Sequence, residues 1–227
     1  MPIRAFFVVM RLSLPLATAA FLAVFTPNLA QAQVPLNGRL LASHEISMSN
    51  RYPVKSVNDV FRDNILLALY NFSHGKSAVR KNPDWTVVSK PFDYSLTLNP
   101  GSVFAFHDGL LPEFKNMLVT TTNSHFGATD GFKSDGYLYG DGVCHLASLM
   151  YWVAKDAGLQ TNVPVNHDFA KITGVDKQHG VSIKYDPTSP SNSARQNLYI
   201  TNNRQNPITF HFVYQNDALS FSISELQ

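Results

Sequence analysis

Cys144 is the single cysteine of the 227-residue chain, and it stands in Tyr139-Gly140-Asp141-Gly142-Val143-Cys144-His145. Two glycines deliver it to the first turn of an apolar helix. Unpaired backbone amides and the helix dipole at such a position favour a thiolate over a thiol. That is one way to lower a cysteine pKa and activate a nucleophile. A nucleophile of this kind needs a base, and the base needs an orienting group. His145 points about 100° away around the helix, which makes it a poor partner. His167, on the strand expected after the helix, is the better base. Asp186 ends the following strand in Tyr185-Asp186-Pro187-Thr188 and is placed to orient His167. His179 and Asp176, in the intervening turn, compete for that third role. The other reading of Cys144 is structural, since a free cysteine at the start of a core helix behaves as a small hydrophobe. One cysteine excludes an intramolecular disulfide and a multi-cysteine metal cluster.

These residues need elements to position them. The helix after Gly142 carries Val143, Leu146, Ala147, Met150, Val153, Ala154 and Ala157 on one stripe, with Gly158 as its stop. An earlier helix is expected from Ser56, with Ser56-x-x-Asp59 as a capping-box variant. Its buried stripe is Val57, Val60, Phe61, Ile65, Ala68, Leu69 and Phe72, and Gly75 is its C-cap. Asn71-Phe72-Ser73 matches a glycosylation sequon but sits on this helix. Val87-Val88, Tyr94 to Leu98, Val103 to Phe106, Val163 to Phe169 and Val181 to Tyr185 read as strands. Residues 127 to 142 read as a long loop, and Pro187 to Ser193 as a Ser/Pro-rich loop. At the C-terminus, Ile208, Phe210, Phe212 and Tyr214 alternate with polar residues. After a turn at Gln215-Asn216-Asp217, Leu219, Phe221 and Ile223 do the same. The expected fold is α+β: two main helices packed on a largely antiparallel sheet, with a C-terminal β-hairpin.

Residues 1 to 32 read as a secretory signal peptide. Arg4 and Arg11 precede the apolar stretch Leu12 to Phe25, and Ala30-Gln31-Ala32 supplies a small-x-small cleavage site. The alternative, an uncleaved anchor, is opposed by the short apolar run and by Pro15. The mature chain would then be a bacterial secreted, periplasmic or cell-surface protein, with no stable membrane span after cleavage. Residues 33 to 55 form an extended lead-in, and residues 56 to 227 a single domain.

The formal charge of +2 comes from 18 basic and 16 acidic residues. Removing Arg4 and Arg11 leaves 18 − 2 = 16 basic against 16 acidic, a net charge of zero. With no run of Lys or Arg, the chain lacks the electrostatic footprint of a nucleic-acid binder. His107, His125 and His167 are available as zinc ligands, but no H-x-x-x-H or H-E-x-x-H spacing occurs, so neither a metal nor another cofactor is expected. His211, on the polar face of the hairpin, is expected to be solvated.

Gly140-Asp141-Gly142-Val143-Cys144-His145, running into Ala157-Gly158-Leu159, resembles the central motif of VanW-like proteins. Three further blocks agree in order: Arg62-x-Asn64-Ile65, Asn99-Pro100-Gly101 to Phe106, and Asn197-Leu198-Tyr199-Ile200 with Asn202-Asn203 and Pro207-Ile208. The match covers roughly residues 45 to 226. His145 stands where the family usually has Gln, and the family's Asp position falls at or near His179, which leaves Asp186 as a substitute. The resemblance implies a cell-envelope protein without implying a settled activity. A Cys on a helix followed by His and Asp on strands also resembles, in arrangement only, the transglutaminase-like thiol enzymes. Two functions follow as expectations. One is a Cys-His thiol enzyme acting on amide bonds of peptidoglycan peptides, with Cys144 as nucleophile, His167 as base, and Asp186 or His179 as orienter. The other is a non-catalytic envelope module, with a structural Cys144, that binds a cell-wall peptide or an envelope protein. It carries the expectation of an apolar patch near the 127 to 142 loop.

Overall fold

Both apolar stripes become long helices, and the C-terminal alternation becomes a hairpin. The computed structural model describes residues 38–75 and 82–227, which fall within one compact unit. The expected signal peptide, residues 1–32, and the start of the lead-in, residues 33–37, lie outside the described residues. In chain order the elements begin with β1 (Gly38–Ser47), α1 (Lys55–His74), α2 (Trp85–Val88), β2 (Phe92–Leu98), β3 (Val103–Ala105) and β4 (Val119–Thr121). They continue with α3 (Val143–Asp156), β5 (Gln160–Asn162), α4 (Pro190–Arg195), β6 (Tyr199–Thr201), β7 (Ile208–Gln215) and β8 (Ala218–Leu226).

The architecture is α+β, with two sheets where one was expected. The larger is wholly antiparallel in the order β1-β8-β7-β2, and the smaller runs β4-β3-β6-β5 with β3 and β4 parallel. The segment read as a lead-in therefore supplies β1, an edge strand paired with β8 from Gly38↔Leu226 to Ser47↔Ala218. The hairpin turn is Asn216-Asp217, both with positive φ (50° and 57°), the two-residue geometry that matches strand twist. Phe210, Phe212, Phe221 and Ile223 face the core, where α1 and α3 supply Ile65, Leu66, Leu146, Met150 and Val153.

Several local expectations are corrected. Helix α1 starts at Lys55 with Val54 at its N-cap and no side-chain cap; Asp59 receives the Lys55 ammonium at 2.6 Å instead of completing a box with Ser56. Its end does carry the Gly75 cap, φ 72°, with the glycine N–H on Asn71 O. Val87-Val88 belongs to α2, which Asp84 caps by accepting the Thr86 N–H at 2.9 Å. Val163 to Phe169 and Val181 to Tyr185 form no ladder; one bond, Ser182 N–H to Val165 O at 3.1 Å, joins them. Pro187 to Ser193 is not all loop, because Pro190 opens α4, where its missing N–H costs nothing. His211 is buried, with Nε2 2.7 Å from Asp93 on β2. Asn71 is also buried, and its Nδ2 donates to Ser124 Oγ at 3.0 Å, which closes the sequon to a glycan.

Three other buried asparagines brace the loops. Asn64 accepts the Lys133 N–H and donates to Lys133 O and Asp141 O. Asn197 holds both the N–H and the carbonyl of His107. Asn202 donates to Leu98 O and Asn206 O. Each satisfies backbone groups that no strand or helix reaches.

Candidate functional site at the start of the third helix

The glycines before Cys144 answer to packing. Gly140 and Gly142 have φ of 79° and 97°, and a Cβ on either would stand 2.7 Å from Phe126 or 2.6 Å from the Phe61 carbonyl. Only glycine lets the chain pass this close to α1 before it turns into α3.

Cys144 faces the segment around Ile183. The Ile183 N–H donates to Sγ at 3.4 Å, and the thiol donates back to Ile183 O at 3.7 Å. One turn on, Ser148 Oγ donates to Cys144 O at 2.7 Å and accepts the Val181 N–H at 2.9 Å. The two side chains thus stand in for a strand partner of residues 181–183. The residue keeps some exposed surface, yet the sulfur is enclosed, and loss of water pushes the thiol up to about 11. Desolvation outweighs the helix start, opposite to the activated thiolate the sequence suggested.

The other expected members of the site have contacts of their own. His167 Nδ1 lies 3.2 Å from Ala170 O, its ring is tilted against that of Phe169 with centroids 4.0 Å apart, and burial lowers its pKa. It lines a cavity of about 420 Å³ with Phe169, Ile172 and Val175. Asp186 lines a different cavity, of about 560 Å³, with Lys115, Tyr185 and Arg195. Its carboxylate is held low by the Thr188 hydroxyl and amide. His179 lies nearly parallel to the Trp152 indole at 5.4 Å, and burial lowers it as well. Asp176 lines the cavity beside His167. Among the described residues no hydrogen bond joins Cys144 to His167, His179, Asp176 or Asp186.

The remaining histidines are mostly locked. His107 is fully buried between Gln196 O (3.0 Å) and the Gly109 N–H (3.1 Å), and burial pushes it down to about 4. His125 stacks on Tyr185 at 3.9 Å and reaches Asp108 at 3.0 Å. His44 stacks on Trp152 at 3.6 Å and bonds Asp156 at 2.6 Å. Among the described residues no group of three or more His, Cys, Asp or Glu could hold a metal ion.

One exposed feature is the 134–139 turn, within the stretch that the sequence read as a long loop and near which an apolar patch was expected. Its tip presents Tyr137, Leu138 and Tyr139 at 91, 64 and 57% exposure. The stem is fixed: Ser134 bridges Tyr139, Ser134 Oγ accepts the Gly136 N–H, Asp135 accepts the Tyr137 N–H, and Asn64 clamps Lys133 and Asp141. The alternating Tyr-Leu-Tyr run was the available signal for it. Among the described residues no helix is long and apolar enough to cross a membrane. Compared with protein-family models, curated proteins and solved structures, the chain matches none.

Proposed function

We propose that this chain is a VanW-like, non-catalytic binding module of the bacterial cell envelope, exported by its first 32 residues, with Cys144 in a structural role. The observation that carries the reading is the engagement of Cys144 Sγ by both backbone groups of Ile183, in a site that holds the thiol protonated. A nucleophile needs the opposite, a thiolate with a base in reach. The contact surface is the Tyr137-Leu138-Tyr139 tip. Tyrosine contributes apolar area and a hydroxyl at low entropic cost, and a pre-formed turn loses little freedom on binding. The partner is a cell-wall peptide or an envelope protein.

The test is a pH series of iodoacetamide alkylation in wild type and His167→Ala. The expected result is slow reaction at pH 7, a rate that climbs only above about pH 9, and identical profiles for the two proteins. A thiol that reacts quickly at pH 7 and slows in His167→Ala would restore the enzyme reading.

A further inference from the structure

The cavity of about 560 Å³ is walled by the loop after β3, by residues 185–187 and by α4. Side-chain hydrogen bonds fix these walls to one another. Tyr199 Oη donates to Ala194 O at 2.8 Å and accepts the Leu111 N–H at 3.0 Å, which ties α4 to the loop. Ser193 Oγ accepts the Asp186 N–H at 2.7 Å and donates to Asp186 O at 2.8 Å, which ties α4 to the third wall. Walls already tied together lose little freedom when a ligand arrives. The volume falls in the range of sites for small organic ligands, about 300–1,000 Å³.

Charges of both signs line this cavity: the cations Lys115 and Arg195, both exposed, and the carboxylates Asp108 and Asp186. Among the described residues no ion pair joins either cation to either carboxylate. Other groups hold the carboxylates. Asp108 Oδ1 lies 3.0 Å from His125 Nε2, and Asp186 Oδ1 accepts the Thr188 N–H at 2.9 Å and its hydroxyl at 2.7 Å. Each of these contacts uses one oxygen, and a carboxylate has two to offer. Opposite charges thus border one cavity without neutralising each other. Much of the remaining lining is apolar, with Leu110, Leu111, Pro112 and Pro187.

We propose that this cavity binds a short zwitterionic peptide, its free carboxylate toward Lys115 and Arg195 and its free ammonium toward Asp108 and Asp186. A ligand charged at one end only would meet one sign of charge and leave the other unanswered. A bare ion would also make no use of the apolar wall, against which a peptide side chain packs. The cavity shares no residue with the Tyr137–Tyr139 tip, and either proposal can fail without the other.

The experiment titrates alanyl-leucine, its N-acetyl form, its C-terminal amide and the doubly blocked form into the protein, followed in ¹⁵N–¹H spectra. Exposed charges are screened, so each free end is expected to contribute modestly. The free dipeptide should bind about threefold more tightly than either singly blocked form and about tenfold more tightly than the doubly blocked one. In Lys115→Gln/Arg195→Gln the preference for a free carboxylate should vanish while the preference for a free ammonium persists. Asp108→Asn/Asp186→Asn should do the reverse, and Lys171→Gln/Lys177→Gln, at the cavity beside His167, should change neither. No binding, equal binding of the four peptides, or a preference for one free end alone overturns the proposal. So do preferences that survive both pairs of substitutions at this cavity, or that are lost in Lys171→Gln/Lys177→Gln.

Discussion

Cys144 and Ser148, one turn apart on α3, accept the amide hydrogens of Ile183 and Val181 at 3.4 and 2.9 Å. The spacing explains why two helix side chains can serve an extended segment. Four helical residues rise about 6 Å. Two extended residues advance about 6.6 Å. The i and i+4 positions therefore meet alternate amides of a strand with almost no mismatch.

Removing either acceptor should leave a backbone N–H without a partner. Cys144→Ala and Ser148→Ala are each expected to cost about 1–3 kcal/mol, and Cys144→Ser less, because a hydroxyl can take over as acceptor. Urea unfolding measures this. Equal stability of Cys144→Ala and Cys144→Ser would count against an acceptor role.

Stability should fall toward both acid and alkali. Burial holds folded His145 near about 3 and His107 near about 4, below the ordinary 6.5. The unfolded chain takes up these protons first, so the stabilisation is whole above about pH 6.5 and is lost as pH falls toward about 4. Asp141, raised to about 6 mainly by burial, opposes part of that loss. At the other end, the Cys144 thiol raised to about 11 makes the unfolded chain release its proton first, so stability declines from about pH 9 to 11. Thermal melts across this range should show both limbs, and Cys144→Ser should lack the alkaline contribution of the thiol. An unchanged alkaline limb in that variant would refute the assignment.

Gly142→Ala should be among the most damaging changes near the site. Its Cβ would stand 2.6 Å from Phe61 O, on a backbone with φ of 97°. Loss of about 3 kcal/mol or more is expected from strain and displacement of α1 together, read as a lowered melting temperature. A variant melting with wild type would mean the α1–α3 approach is looser than described.

The exposed tip separates binding from stability. Tyr137→Ser, Leu138→Ser and Tyr139→Ser should each change stability by no more than about 0.5 kcal/mol, since the side chains are largely in water. Combined, they should abolish sedimentation with purified peptidoglycan sacculi or retention on immobilised envelope protein. Binding that persists in the triple variant would move the contact surface elsewhere.

Helix stripes and the hairpin were legible because their periodicity spans many residues and burial enforces it. The stretches around Val163 and Val181 were not. They are extended but take their hydrogen bonds singly, from Ser148, Cys144 and Val165, and no local pattern records a partner that distant in sequence. The helix in the Ser/Pro-rich stretch was hidden because Pro190 reads as a breaker unless it is known to open the first turn. Cys144 itself was legible as special, but the sign of its pKa shift was not. The glycines that suggest an activating turn are the same ones that permit close packing, and only the burial of the sulfur separates the two.

The pairing of β1 with β8 has a consequence for the order of events during synthesis. Arg39 meets Glu225, 186 positions further along the chain, so the first described strand has no neighbour in its sheet until the last described one has emerged. Contacts so remote slow folding. A nascent chain whose larger sheet stays unfinished until β8 emerges stays unfolded longer.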